Sequence, residues 1–179
     1  MLDERRVKEA KSSMAAYLAD GLIKKNIFKQ IIFDTYLRNH RESLRLAAYV
    51  HEKKLSCLWT VVISYYSMFY MANAVLYAFG YKVGDSRAHR VTADALICFV
   101  REKLRGSLLE CYEEAMEEAL EMAGARADEI ISSFDKERKK RSEFQYETSE
   151  DLKESKASTS LHRAEEFAVE MNRLLKSSL

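Results

Sequence analysis

The stretch Leu55-SCLWTVVISYYSMFYMANAVLYAFG-Tyr81 holds no Asp, Glu, Lys or Arg, and it decides the fold of this chain. It is long enough to cross a bilayer, which takes about 20 residues. It also contains Ser, Thr and Asn side chains, and its tyrosines lie in the middle rather than in belts at the two ends. A helix that is apolar on all sides is typical of the centre of a helical bundle. We therefore predict a buried central helix in preference to a membrane span.

Composition supports a fold built from long helices. The chain has 179 residues, no proline and 5 glycines, so it is poor in the residues that form the tight turns of sandwiches and barrels. Hydrophobic residues make up 47% of the chain, which is enough to form a core, and the length fits one domain. The prediction is an all-α, up-and-down helical bundle that spans residues 1–179 as a single domain. Four core helices are expected, with extra N-terminal and short helices.

The hydrophobic periodicity predicts six helices. The first forms an N-terminal extension within residues 1–25, and the others form the bundle over residues 27–176. Their predicted bounds, in chain order, are 3–20, 27–52, 55–79, 85–104, 107–144 and 148 onward. Asp85 or Ser86 is predicted to cap the fourth helix, and Ser107 with Glu110 is predicted to form a capping box for the fifth.

Charge and cysteine content narrow the choice of partner and compartment. Lys and Arg total 29 and Asp and Glu total 28, a formal net charge of +1. Bulk charge therefore predicts neither a nucleic-acid nor a membrane partner, and either would need a local patch. The three cysteines form no CxxC pair and two of them lie in apolar runs, which indicates buried reduced thiols in a cytoplasmic protein. The N-terminus runs directly into a charged helical pattern, so no signal peptide is predicted.

Two faces of the uncharged helix carry polar groups. Small and hydroxyl side chains recur at alternating steps of four and three residues, which lets another helix approach closely. This stripe comprises Thr60, Ser64, Ser67, Met71, Ala74 and Ala78. A second row comprises Tyr66, Tyr70, Asn73 and Tyr77. The polar tips of the second row are either satisfied inside the bundle or line a cleft or a dimer face.

The four histidines lie on different predicted elements. His40 and His51 fall on the apolar stripe of the second helix, where a hydrogen-bonded core or boundary position is expected. His89, beside Arg90 at the start of the fourth helix, is the histidine expected to face solvent or a cleft. The sequence has no glycine-rich phosphate loop, no HExxH, no paired-cysteine zinc spacing and no GxSxG, so it predicts neither a metal nor another cofactor.

The fifth predicted helix changes from apolar to cationic along one face. Its inward stripe runs from Leu109 to Phe134, and the next positions at the same spacing are Arg138, Arg141 and Gln145. One interpretation is a solvated basic end that complements the helix dipole, because the early half of the helix is acidic. The other is a binding site for nucleotide or RNA phosphate, because the planar guanidinium of arginine fits phosphate and keeps its charge when partly buried.

Four runs of sequence resemble the HEPN superfamily. They are Ser64-YYSMFYMANA, Gly80-YKVG, Ala88-HRVTADALI and Phe134-DKERKKRSEFQYET. The resemblance covers about residues 33–175 and is most specific in the tyrosine-rich helix and in the arginine-rich segment before Tyr146. Within the superfamily, the chain is similar to the small prokaryotic proteins of the UPF0332 group.

This resemblance implies a helical bundle that forms a homodimer. Many HEPN proteins are metal-independent endoribonucleases that act as toxins, and others bind nucleotides or pair with a minimal nucleotidyltransferase encoded next door. The expectation is a cytoplasmic HEPN protein of toxin–antitoxin type that binds nucleotide or RNA phosphate, with such a nucleotidyltransferase as its partner and without a membrane partner. The alternatives are an active endoribonuclease and a non-catalytic structural or adaptor homodimer.

The resemblance also implies which residues carry the chemistry. In the nuclease branch, an arginine is followed after four to six residues by a histidine, and two copies meet over one RNA phosphate. Arg141 matches the arginine, but Tyr146 stands where the histidine is expected. A tyrosine with a pKa of about 10 is a poor base at neutral pH, so His89 is a candidate to supply the imidazole from another helix. The predicted catalytic set is Arg141, Tyr146 and His89, and the predicted phosphate-binding set is Arg138, Arg141 and Gln145.

In some relatives the partner modifies a tyrosine near the motif, which makes Tyr146 a candidate acceptor.

Overall fold

A computed structural model describes residues 3–136 and 150–178 of the chain. In chain order its elements are α1 (Glu4–Ala19), β1 (Ile23–Lys25), α2 (Gln30–Glu52), α3 (Cys57–Ala78), β2 (Tyr81–Val83), α4 (Ala88–Phe99), α5 (Gly106–Lys136) and α6 (Glu150–Ser178). A 3-10 turn, Arg101–Lys103, joins α4 to α5. The predicted all-α helical bundle is confirmed.

The uncharged stretch forms α3, the helix at the centre of the bundle. Its N-terminus is capped by Ser56, whose hydroxyl accepts the backbone N–H of Trp59 at 3.2 Å. After its C-terminus, Gly80 has a φ of 87°, a left-handed conformation that favours glycine. The helix packs most extensively against α2 and α6. Its length and composition would allow it to cross a membrane, but 72% of its apolar window is buried inside the protein. The prediction of a buried central helix is confirmed.

The stripe of small residues on α3 is buried where α2 packs against it. His40 of α2 is 4% exposed, and its Nδ1 lies 3.1 Å from the carbonyl oxygen of Ser67 and 2.9 Å from the Ser67 hydroxyl. The prediction that His40 is a hydrogen-bonded core group is therefore confirmed. Burial lowers the pKa of His40, which favours a neutral imidazole in the core.

Two strands of three residues were not predicted from the sequence. β1 and β2 pair in antiparallel fashion with Ile23 opposite Val83, and the N–H of Gly84 donates to the carbonyl of Leu22 at 2.8 Å. Strands this short carry too few residues to show an alternating pattern. Because β1 follows α1 and β2 follows α3, the pairing ties the N-terminal extension to the bundle.

Several predicted helix ends are wrong. The second helix begins at Gln30 rather than at Ile27, because the chain leaving β1 first crosses the end of α3. Neither Asp85 nor Ser86 caps α4, since Arg87 occupies the cap position with a φ of 54° and no side-chain cap hydrogen bond. The fourth helix ends at Phe99 rather than at residue 104. The predicted continuation of the fifth helix, residues 137–144, lies outside the described residues.

Candidate functional site

Most of the predicted site residues lie outside the described part of the chain. Arg138, Arg141, Gln145 and Tyr146 all fall between residues 136 and 150. His89 is described, and it lies in the first turn of α4. The structure therefore bears on the imidazole of the predicted site and on the residues around it.

His89 lies against an aromatic cluster on α3, made of Tyr65, Tyr66 and Phe69. The ring centroids of these residues are 5.5, 5.7 and 4.7 Å from that of His89. The Nδ1 atom of His89 is 2.7 Å from the hydroxyl oxygen of Tyr65. Its Nε2 atom makes no hydrogen bond to any described residue and is not a fully buried atom. The half-buried ring therefore has one nitrogen held in place and the other free to meet a ligand.

The aromatic cluster continues from Tyr65 into the core. The ring centroids of Tyr65 and Tyr112 are 5.9 Å apart, and those of Tyr112 and Phe167 are 5.4 Å apart. All three rings are buried, so they join α3, α5 and α6 behind His89. Burial raises the pKa of both Tyr65 and Tyr112. Both hydroxyls therefore keep their protons at neutral pH.

The environment of His89 favours its neutral form, because burial lowers its pKa. A neutral imidazole has one donor nitrogen and one acceptor nitrogen. The hydroxyl of Tyr65 can donate to Nδ1 or accept from it, so Nε2 can face a ligand as an acceptor or as a donor. General acid–base chemistry requires this property of a histidine.

Two exposed arginines lie close to His89 in the sequence, and a partly exposed tyrosine contacts its ring. Arg87 and Arg90 are exposed on either side of it in sequence, and Tyr66 is 36% exposed. The Nε of Arg90 lies 3.5 Å from Oδ2 of Asp94. Guanidinium groups bind phosphate and exposed aromatic rings stack on bases. Arg87 and Tyr66 are therefore residue types that can bind nucleotides, while the Arg90 guanidinium lies beside the Asp94 carboxylate.

The second polar row of α3 is divided between core and surface. Asn73 is buried and donates to the carbonyl of Phe69 at 2.9 Å. Tyr77 is 1% exposed, and its hydroxyl hydrogen-bonds the backbone that precedes α2. The tips of these two residues are satisfied inside the bundle. Tyr66, in contrast, reaches the surface beside His89.

His51 lines a cleft of about 420 Å³ where α2 ends and α3 and α6 begin, and His89 does not line this cleft. Its charged lining consists of Lys54, Lys153 and Glu154, and the Nζ of Lys54 lies 2.8 Å from Oε1 of Glu154. Because the lining carries both signs of charge, the cleft does not select for phosphate. His51 is half-buried, which confirms its predicted boundary position.

The sequence analysis missed a buried carboxylate close to His89. Asp94 of α4 is fully buried, with Arg6 Nη2 2.5 Å from Oδ1 and the Tyr17 hydroxyl 2.9 Å from Oδ2, both from α1. The Nε of Arg6 also donates to Glu113 of α5 at 2.7 Å. An acidic residue in the apolar run Val91–Val100 is the signal that could have revealed this network, because a charge buried there must find partners.

Comparison with known proteins assigns no family to the chain. No protein-family model matches it, and no curated protein matches it. Within residues 3–136 and 150–178, no group of His, Cys, Asp and Glu side chains could hold a metal ion. The candidate site thus rests on the surroundings of His89 and on the arginine-rich sequence.

The titration of His89 tests its desolvation. In an NMR titration, with the signal assigned by His89→Gln, we expect a midpoint below the ordinary value of about 6.5, because burial lowers the pKa. A histidine with a lowered folded pKa stabilises the fold above its unfolded pKa, and this contribution is lost as the pH falls through the folded pKa. In urea unfolding, the free energy of unfolding should therefore fall as the pH is lowered, and it should fall less steeply in His89→Gln than in the wild-type protein. A midpoint at or above the ordinary value would contradict this account.

Proposed function

We propose that the chain is a cytoplasmic HEPN protein of toxin–antitoxin type that binds nucleotide or RNA phosphate and has a minimal nucleotidyltransferase as its partner. Two kinds of observation support the proposal. The four sequence runs resemble the HEPN superfamily, and the helical bundle agrees with the fold that this resemblance implies. The ring of His89 contacts that of the partly exposed Tyr66, and the exposed residues Arg87 and Arg90 lie close to His89 in the sequence.

The observation that carries the proposal is the half-buried imidazole of His89. Its Nδ1 is held by the buried Tyr65 hydroxyl, and its ring contacts that of Tyr66, which reaches the surface. The structural histidine His40 is only 4% exposed. His89 is half-buried, so part of it lies at the surface, as a ligand-binding or proton-transferring histidine requires.

The arginine-rich segment supplies the rest of the proposed site. Arg138, Arg141 and Gln145 are proposed to bind the phosphate, because a guanidinium fork can donate two hydrogen bonds to phosphate oxygens. Tyr146 is the proposed acceptor if the nucleotidyltransferase modifies this chain. Both assignments come from the sequence resemblance and are tested by substitution.

A homodimer is part of the proposal, and one face of α3 supports it. Leu55, just before the helix, and Trp59 and Tyr66 within it are 63%, 55% and 36% exposed. Trp59 and Tyr66 are seven residues apart, which puts them on one side of the helix, and Leu55 precedes its N-cap. Exposed aromatic and aliphatic side chains in one stripe are typical of protein interfaces. Two copies meeting here would bring two His89 surfaces near each other, since Tyr66 contacts His89.

Binding of labelled single-stranded RNA and of ATP to the purified protein tests the proposal. Arg141→Ala should weaken binding by roughly ten- to a hundredfold, because it removes hydrogen bonds to a charged phosphate. The matched control is Arg173→Ala, which removes an arginine 67% exposed near the end of α6 and should leave affinity within about twofold. Absence of binding by the wild-type protein, or equal affinities of the two variants, would exclude the proposed phosphate site.

An active endoribonuclease is the second candidate, and the neutral imidazole of His89 favours it. The same preparation, incubated with RNA in the presence of EDTA, should then cleave it, and both His89→Ala and Arg141→Ala should remove cleavage while helix content stays unchanged. Tyr146→Phe should retain cleavage, since His89 rather than Tyr146 moves the proton. Binding without cleavage by the wild-type protein would exclude this candidate and leave the binding function intact.

A further inference from the structure

A group of large apolar side chains protrudes where the chain passes from β1 to α2. Ile27 is 86% exposed, Ile31 is 75% exposed and Phe28 is 43% exposed. We refer to these three residues as the Ile27 patch. Single exposed apolar residues are common on protein surfaces, but a contiguous group of this kind marks an interaction site.

The backbone beneath the Ile27 patch is held firmly by the core. The buried Tyr77 hydroxyl donates to the carbonyl of Ile27 at 3.3 Å and accepts the N–H of Lys29 at 3.1 Å. The N–H of Asn26 donates to the carbonyl of Gly80 at 3.0 Å. These bonds fix the connection from its inner side, so the apolar side chains are presented outward by the fold.

Lysines surround the Ile27 patch without acidic partners. The four are Lys24, Lys25, Lys29 and Lys82, and all are exposed. Lys24 and Lys82 lie directly opposite each other in the two-stranded sheet, an arrangement of like charges that costs stability. Within the described ranges, none of the four forms an ion pair with a carboxylate, while the Nζ of Lys25 lies 5.3 Å from the centroid of the Tyr81 ring. The patch therefore combines protruding apolar side chains with a rim of lysines that have no carboxylate partner.

We infer that the Ile27 patch and its lysine rim bind the surface of an anionic phospholipid membrane. Aliphatic side chains partition into the boundary between headgroups and acyl chains, while nearby lysines contact anionic headgroups. The chemistry fits RNA less well, because the two most exposed residues are isoleucines without a planar ring, and the ring of Phe28 packs on those of Phe33 and Tyr77. It also fits a protein partner less well, because lysine is depleted at protein interfaces and arginine, tyrosine and tryptophan are enriched. The net charge of the whole chain is only +1, so it gives no reason to expect a membrane partner. Membrane binding would need a local patch of positive charge, and the Ile27 patch with its lysine rim is such a patch.

Cosedimentation of the full chain with lipid vesicles tests the inference. We expect binding to vesicles of phosphatidylcholine mixed with phosphatidylglycerol, little binding to phosphatidylcholine alone, and weakening by added salt. The double variant Ile27→Ser/Ile31→Ser should lower partitioning at least about tenfold. Lys24→Gln/Lys82→Gln should lower it roughly thirtyfold, from the usual contribution of each lysine near an anionic surface. The control is Val169→Ser on α6, which removes a 60% exposed apolar side chain and should change nothing.

Three outcomes would overturn the inference. The first is absence of wild-type binding to anionic vesicles at low salt, and the second is equal loss of binding in Val169→Ser. The third is a change of oligomeric state in Ile27→Ser/Ile31→Ser by light scattering, which would assign the patch to contact between copies. Inorganic phosphate, added at the same concentration as the lipid phosphate, should not release the protein from the vesicles. This control distinguishes binding to a membrane surface from binding to a free phosphate anion. The Ile27→Ser/Ile31→Ser variant leaves the arginines of the proposed phosphate site unchanged, so its loss of vesicle binding would be independent of that site.

Discussion

Asp94→Ala is expected to lower the free energy of unfolding by about 3 kcal/mol or more, as is typical when one member of a buried ion pair is removed. Asp94 is fully buried and accepts from Arg6 and Tyr17. The Arg6 side chain is 16% exposed, and its Nη1 is already a buried atom without a hydrogen-bond partner. Loss of the carboxylate leaves Glu113 to compensate a largely desolvated guanidinium and leaves the Tyr17 hydroxyl without its acceptor.

The loss of stability in Asp94→Ala should affect α1 more than the other helices. This helix rests on the bundle through Val7, Ala10 and Met14, which are its buried apolar residues. One valine, one alanine and one methionine bury little surface for a helix of 16 residues, so the polar contacts of Arg6 and Tyr17 have a large share in holding it. Hydrogen exchange of the α1 amides should therefore accelerate in Asp94→Ala more than exchange in α3.

Two variants separate the buried network from a general effect of removing charge. Arg5→Ala removes an arginine that is 83% exposed and pairs with Glu9 on the surface, and it should cost less than about 1 kcal/mol. Asp94→Asn keeps the shape and one acceptor oxygen, so its cost should lie between those of Arg5→Ala and Asp94→Ala. Urea unfolding gives all three values. If Asp94→Ala matched Arg5→Ala, the network would have no role in stability.

The sequence predicted the helical architecture because the relevant signals are local. A run without charges can bury all of its sides, and the absence of Asp, Glu, Lys and Arg between Leu55 and Tyr81 therefore identified the core helix. The same locality explains the errors at element ends. Arg87, at the cap position before α4, has a left-handed conformation because the chain must first complete β2 and turn, which no residue pattern near Asp85 indicates.

The candidate site was less predictable because its contacts are distant in sequence. His89 was selected for its position beside Arg90 at a helix start, yet its hydrogen bond to Tyr65 depends on how α4 packs against α3. Asp94 meets Arg6 across 88 positions of the chain, and no periodicity encodes such a pairing. The Ile27 patch was not predicted, because the predicted helix began at Ile27 and gave no indication that Ile27 and Phe28 lie exposed ahead of α2.

Phe167→Ala is expected to lower the free energy of unfolding by about 3–5 kcal/mol, because truncating a buried phenylalanine removes apolar contacts and leaves a cavity. Phe167 is 1% exposed on α6, and its ring packs on that of Tyr112 of α5, which in turn packs on Tyr65 of α3. Three helices meet at these rings, so the cavity cannot close by moving one of them.

Two substitutions on α6 show whether the cavity is the cause. Val169→Ala shortens a side chain that is 60% exposed two residues away, and its effect should stay within about 0.5 kcal/mol. Phe167→Leu keeps most of the buried volume and should cost less than Phe167→Ala, at about 1.5 kcal/mol. All three substitutions lie on α6, and each introduces Ala or Leu, two residues of high helix propensity. A difference in stability between them therefore reflects packing rather than helix propensity. If Phe167→Ala proved as mild as Val169→Ala in urea unfolding, the rings of Phe167, Tyr112 and Tyr65 would not form a packed core.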